Sequence, residues 1–156
     1  MKVLQSHGKA ELPADALLKT PTELKIVEIG KGKFWYNGIE KCLTDICFSQ
    51  QIPEKLSLIF NIDGMSPFNS SNLQFWPILF LIHELRDQIY PLVAAAYYGE
   101  NKPPLKEYFR NLINELNFLL RNGVIINNRK VMIGIRCFVC DTPARSFIKG
   151  MFLQLN

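Results

Sequence analysis

Two aspartates stand where strand-like runs give way to loop chemistry. Residues 57–68 read SLIFNIDGMSPF, an apolar run that ends in Asp63-Gly64, and the run from Val131 to Cys140 is followed at once by Asp141. Asp-Gly alone is ordinary turn chemistry, because Gly tolerates positive φ and Asp hydrogen-bonds its own backbone. The pair carries more. If the two strands are parallel neighbours, Asp63 and Asp141 face each other at the carboxyl edge of a sheet, where open α/β folds build their sites. Carboxylates about 4 Å apart repel by about 4 kcal/mol at an effective dielectric of about 20. A divalent cation removes that cost, and oxygen-only ligation suits Mg²⁺ or Mn²⁺.

Other candidates carry less chemistry. Cys137-Phe-Val-Cys140 has the spacing of half a zinc site, but strand positions three apart point to opposite faces. Cys42 and Cys47 stand alone, so buried free cysteines are expected rather than structural zinc. Arg136, Arg145 and Lys149 lie close in sequence to Asp141 and are candidates for contacts to DNA phosphates; an ordinary solvated surface explains them equally well. Trp76 reads as core packing. Eighteen Lys plus Arg against 14 Asp plus Glu leave a net charge of +4, compatible with a nucleic-acid partner without requiring one.

The elements that must hold the two acids follow from periodicity. Residues 1 to 22 are polar and read as a lead-in. Leu24 to Glu28 and Lys33 to Tyr36, joined by Gly30-Lys31-Gly32, predict a β-hairpin. Gly38 to Phe48 reads as a short helix, with Ile39, Leu43 and Ile46 on one face. Leu56 to Ile62 is apolar on both faces until Asn61, which suits the middle of a covered sheet. Phe75 to Ile82 is a second strand, where Pro77 argues for an edge or entry position, and Pro91 to Tyr98 a third. Leu105 to Arg121 is a helix with Leu105, Phe109, Leu112, Ile113, Leu116, Leu119 and Leu120 on one face, opened by Pro104 and closed by Asn122-Gly123. Val131 to Cys140 is the last strand, and Pro143 begins a helix through Ser146, Phe147 and Ile148. The division is therefore a lead-in with hairpin and short helix over 1–55 and a core over 56–156.

Three strands, a helix, a strand and a helix start resemble the ribonuclease H-like fold of cut-and-paste transposases. The words Phe60-Asn-Ile-Asp-Gly64, Pro67-Phe68, Ser70-Ser71, Gln74-Phe-Trp-Pro77, Lys102-Pro103 and Cys140-Asp-Thr-Pro-Ala-Arg145 are similar to the transposase domain of eukaryotic DNA transposons, CACTA-related elements among them. Leu18-Leu-Lys-Thr-Pro21 and Phe34-Trp-Tyr-Asn-Gly38 add to the likeness, which runs over most of the chain. The resemblance implies an α/β mixed sheet of three antiparallel strands and one parallel strand, Asp63 and Asp141 as the first two metal-holding acids, Mg²⁺ or Mn²⁺, and a DNA partner in the nucleus. Such enzymes use three acids and two metal ions to steady the attacking and leaving oxygens of a phosphodiester. The third acid lies further downstream in the family, beyond an element of the Gly-Cys-x-x-Cys kind, and the 156 residues stop before either. The implied fold is thus C-terminally incomplete, with no cleavage expected from it alone and an apolar edge prone to self-association.

Two other readings stay open. Asn61-Ile-Asp63-Gly64-Met65 also resembles the haloacid dehalogenase-like phosphatases, but their nucleophilic Asp is here Asn61, which cannot attack phosphorus as a carboxylate does. A transposase-derived piece can also persist as a DNA- or protein-binding module or as a relic without function. No small-molecule cofactor is expected. The most apolar run, Phe75 to Ile82, falls well short of the about 20 residues a membrane helix needs, and residues 1–18 lack a signal peptide's apolar centre. An intracellular location is the expectation.

Overall fold

The structure is a computed structural model and describes residues 24–46, 52–67 and 72–140, with Arg145 and Lys149 beyond them. Ile26–Ile29 (β1) and Gly32–Tyr36 (β2) form the expected hairpin. Its turn needs Gly30, whose φ of 54° lies in the left-handed region. Ile39–Asp45 (α1) is shorter than the 38–48 expected, because Ile46 already returns to extended backbone; Cys47 and Phe48 lie outside the described residues. Lys55–Ile62 (β3), Gln74–Ile82 (β4) and Leu92–Gly99 (β5) form an antiparallel meander. Leu105–Asn122 (α2) leads into a second hairpin, Val124–Ile126 (β6) and Arg129–Val139 (β7).

These strands make one mixed sheet in the order β1-β2-β5-β4-β3-β7-β6. β3 is an interior strand and runs parallel to β7, with Leu56 opposite Ile133 and Asn61 opposite Val139. The adjacency expected of these two strands is therefore present, in an α/β architecture. The other neighbouring pairs among the described residues are antiparallel. The first hairpin is part of this sheet, since β2 pairs with β5.

Helix α2 starts and stops where its sequence dictates. Pro104 precedes it, and Gly123 at φ 71° closes it by donating its N–H to Leu119 O at 2.8 Å. Phe109, Leu112, Ile113, Leu116 and Leu119 are buried as the stripe requires, but Leu105 is exposed and Tyr108 is buried in addition. Tyr108 meets Phe34 and Tyr97 edge-on, at ring-centroid distances of 5.7 and 6.4 Å, and its hydroxyl donates to Trp76 O at 3.1 Å. One residue thus ties α2 to β2, β5 and β4. Each such side chain contributes about 1.5–3 kcal/mol by leaving water.

On β3 the alternation is sharp: Leu56, Leu58, Phe60 and Ile62 are 0–1% exposed on the face that α1 and α2 cover. Ser57, Ile59 and Asn61 on the other face are half-buried. Neither the edge nor the entry position expected from Pro77 is observed, since β4 lies between β5 and β3 and begins at Gln74, three residues before the proline. Phe75 exchanges both backbone hydrogen bonds with Met65, so two residues on Pro77 presents its nitrogen to the same side. That side is opposite Asp63, where β3 has ended. The missing donor falls where the ladder is already broken, which is how an interior strand tolerates proline. No helix among the described residues is long and apolar enough to cross a membrane.

Candidate metal-binding edge

Asp63 follows the last paired residue of β3, and the same proline explains why. Ile62 pairs with Ile78, and Met65 bridges to Phe75, so Asp63 falls opposite Pro77, which has no N–H to donate. The strand is released at that point. Gly64 has a different reason from the one its sequence suggests. Its φ is not in the left-handed region; instead the Trp76 ring lies over it, and a Cβ there would come within 2.3 Å of the ring carbons Cε2 and Cζ2. Trp76 is 4% exposed and anchored by its Nε1–H, which donates to Gln74 Oε1 at 2.9 Å. A buried indole therefore fixes the path of the chain leaving Asp63.

The Asp63 side chain is half-buried, with no hydrogen bond or ion pair to another described residue. An uncommitted oxygen donor at a sheet edge fits one position in the shell of a hard divalent cation. By strand alternation Asp63 shares a face with Asn61, whose Nδ2 donates to Val139 O at 3.3 Å and so clasps the ends of β3 and β7 together. Asp141, two residues past Val139, lies outside the described residues. Among the described residues no three His, Cys, Asp or Glu side chains gather as a metal cluster.

Arg136 is exposed on β7 at a bulge, where the pairing steps from Leu58–Ile135 to Ile59–Cys137. Arg145 and Lys149 are exposed and helical. Cys137 is exposed while Cys140 packs against the core, which separates them as strand geometry requires. Cys42 is buried, and burial pushes its thiol up.

A second polar centre was not visible in the sequence. Glu115, half-buried on α2, receives the hydroxyl of Tyr36, the N–H of Ile39 at 2.9 Å, and the N–H of Glu40 at 2.9 Å. It thereby caps the first turn of α1 from another helix, in place of a capping side chain at Gly38. Gly38 holds φ 93° and approaches the Glu115 carboxylate so closely that a Cβ would lie 3.3 Å from it. Burial, reinforced by this hydrogen bond, pushes the Tyr36 phenol far up. A Glu at the margin of the apolar stripe of α2 is the one signal that pointed here.

What these elements define is a class, an α/β protein with a mixed sheet and an acid, Asp63, at the carboxyl end of the interior strand β3. Comparison with protein-family models, with curated proteins and with solved structures found no match.

Proposed function

We propose that the chain is part of a DNA transposase catalytic domain with a ribonuclease H-like sheet, in which Asp63 and Asp141 hold a divalent metal ion. The observation that carries the reading is the pairing of β3 with β7. Both strands run the same way, α2 lies between them in the chain, and the meander β3-β4-β5 continues on the far side of β3. If the register that sets Asn61 opposite Val139 continues two residues further on both strands, it brings Asp63 opposite Asp141. Bound Mg²⁺ or Mn²⁺ would supply Lewis-acid stabilisation of a phosphodiester undergoing attack. The chain's own part is to hold the two carboxylates, with the Asn61–Val139 clasp keeping their strands in register. Exposed Arg136, Arg145 and Lys149 would be the candidates for phosphate contacts, and a nuclear location goes with the reading.

The phosphatase alternative draws less support, because β4 is antiparallel to both its neighbours and Asn61 spends its amide on Val139. The deciding experiment is Mn²⁺ titration of the wild-type chain, Asp63→Asn and Asp141→Asn. Weak binding by the wild type and its loss in both variants is expected, since two carboxylates leave most of the coordination sphere to water. Equal binding by all three proteins would remove the site.

A further inference from the structure

Helices α1 and α2 cover one face of the sheet, and on the other face the cross-strand register leads away from Asp63 in a continuous row. Residues directly opposite each other share a face. Continuing the Ile62–Ile78 pairing sets Asp63 opposite Pro77; Pro77 pairs with Ala96, Ala96 with Trp35, and Trp35 with Ile26. In the row beside it Phe75 pairs with Tyr98, and Tyr98 with Lys33. Ala96 has the smallest side chain in the two rows, so it floors a recess with aromatic rings around it. That recess is an apolar groove of about 330 Å³ lined by Trp35, Phe75, Ala96, Tyr98 and Lys33, with Leu24 and Ile26 toward β1. Tyr98 keeps 38% of its surface and Ile26 53%, so the groove is open. Lys33 is exposed and makes no ion pair with a described residue, Glu28 opposite it included.

We propose that this groove receives an unpaired base of single-stranded nucleic acid, stacked against Trp35 and Tyr98, with Lys33 on the adjoining phosphate. Aromatic rings beside a cation are what single strands bind, since every base has a π-face and every nucleotide a phosphate. Lysine is depleted where one protein surface meets another, so Lys33 at this rim favours a phosphate-bearing partner. A duplex keeps its bases stacked inside and offers none to the groove. At about 4.8 Å between strands, Ala96 lies about 10 Å and Trp35 about 14 Å along the row from Asp63. At the rise of about 3.4 Å between stacked bases, that is about three or four nucleotides from a phosphodiester held at Asp63. The placement of the strand rests on the transposase reading; the chemistry of the groove does not.

The test is fluorescence anisotropy of a labelled oligo(dT) of about twelve nucleotides, titrated with the full chain in EDTA so that no metal contributes. The wild type should bind it several-fold more tightly than a duplex of the same length. Trp35→Leu keeps apolar area but removes the ring, and should weaken binding about tenfold, while Trp35→Phe should keep most of the affinity. Lys33→Gln should lower the slope of log Kd against log salt by about 0.7. Asp63→Asn should bind as the wild type does, so failure of the Mn²⁺ titration and failure here report on different sites. No preference for the single strand, equal affinity of Trp35→Leu and the wild type, or no binding at low salt would overturn the proposal. Self-association that Trp35→Leu abolishes, with no oligonucleotide bound, would overturn it too, by showing a protein contact. If Trp35→Leu lowers the folded fraction seen by circular dichroism, Tyr98→Leu and Tyr98→Phe replace the Trp35 pair, with the same outcomes deciding.

Discussion

Replacing Glu115 by Ala should loosen α1 without touching its own sequence. The substitution strands three donors at once: the Tyr36 hydroxyl and the N–H groups of Ile39 and Glu40. Losing a helix cap costs about 0.5–2 kcal/mol, and leaving a buried hydroxyl unpaired costs about 1–3 kcal/mol. Water reaches this half-buried site and offsets part of the sum, so about 3 kcal/mol is expected. Glu115→Gln keeps one acceptor oxygen in place and should cost about 1 kcal/mol. Tyr36→Phe removes one of the donors, so in the double variant with Glu115→Ala the loss should fall short of the two single losses by about 1 kcal/mol. Urea denaturation of the four variants and the wild type measures all of this. If Glu115→Ala and Glu115→Gln both stay within about 0.5 kcal/mol of the wild type, the ordinary range for a surface change, the cap contributes nothing and the reasoning fails.

Three further outcomes are expected. Gly64→Ala drives a methyl group into the Trp76 ring and should destabilise by about 1–3 kcal/mol, with Trp76 fluorescence shifting; an unchanged midpoint and spectrum would show that the indole does not fix this turn. Tyr97→Phe should be neutral or stabilising by about 1 kcal/mol, because the Tyr97 hydroxyl is buried with no hydrogen-bond partner among the described residues; a clear loss of stability would mean that the hydroxyl is bonded. Glu84 is pushed up by partial burial, but hydrogen bonding from Ser57, with the help of its own backbone and His83, more than offsets this and holds it below the ordinary 4.5. Its contribution is therefore complete above 4.5 and fades as pH falls through the lower folded value, so Glu84→Gln should flatten that part of the acid limb, and a limb of unchanged steepness would count against it.

Much of the architecture was legible because it is written in periods of 2 and 3.6. The apolar run of β3, the stripe of α2 and the glycine turn of the first hairpin are local signals, and so were read. The sharp alternation of burial along β3 was not, because that run reads as apolar on both faces. Leu105 was placed in the stripe and Tyr108 was not, since periodicity ranks a residue by hydrophobicity and overlooks a phenol whose hydroxyl has a backbone partner. The short strand β6 escaped because three residues show no period, and its turn uses Asn127 and Asn128 at φ 49° and 60° rather than glycine. Pro77 misled because tolerance of a proline depends on what lies across the ladder. Of the candidate edge, Asp63 was found by type and position. Trp76 as the cause of Gly64, and Glu115 as a cap, depend on contacts between distant residues that no single stretch encodes.

The parallel pairing also dictates an order of events during synthesis. Asn61 and Val139 are 78 positions apart in the chain, so β3 acquires its second neighbour only when nearly all the described core has been made. Until then β4 can occupy one side of β3 while the other side presents unpaired backbone and the apolar row Leu56, Leu58, Phe60 and Ile62. An open edge of that kind templates association with other chains, and pairing over such sequence separation is intrinsically slow. Yield from a growing culture should therefore respond more to temperature and to chaperone supply during translation than the stability of the finished molecule would suggest.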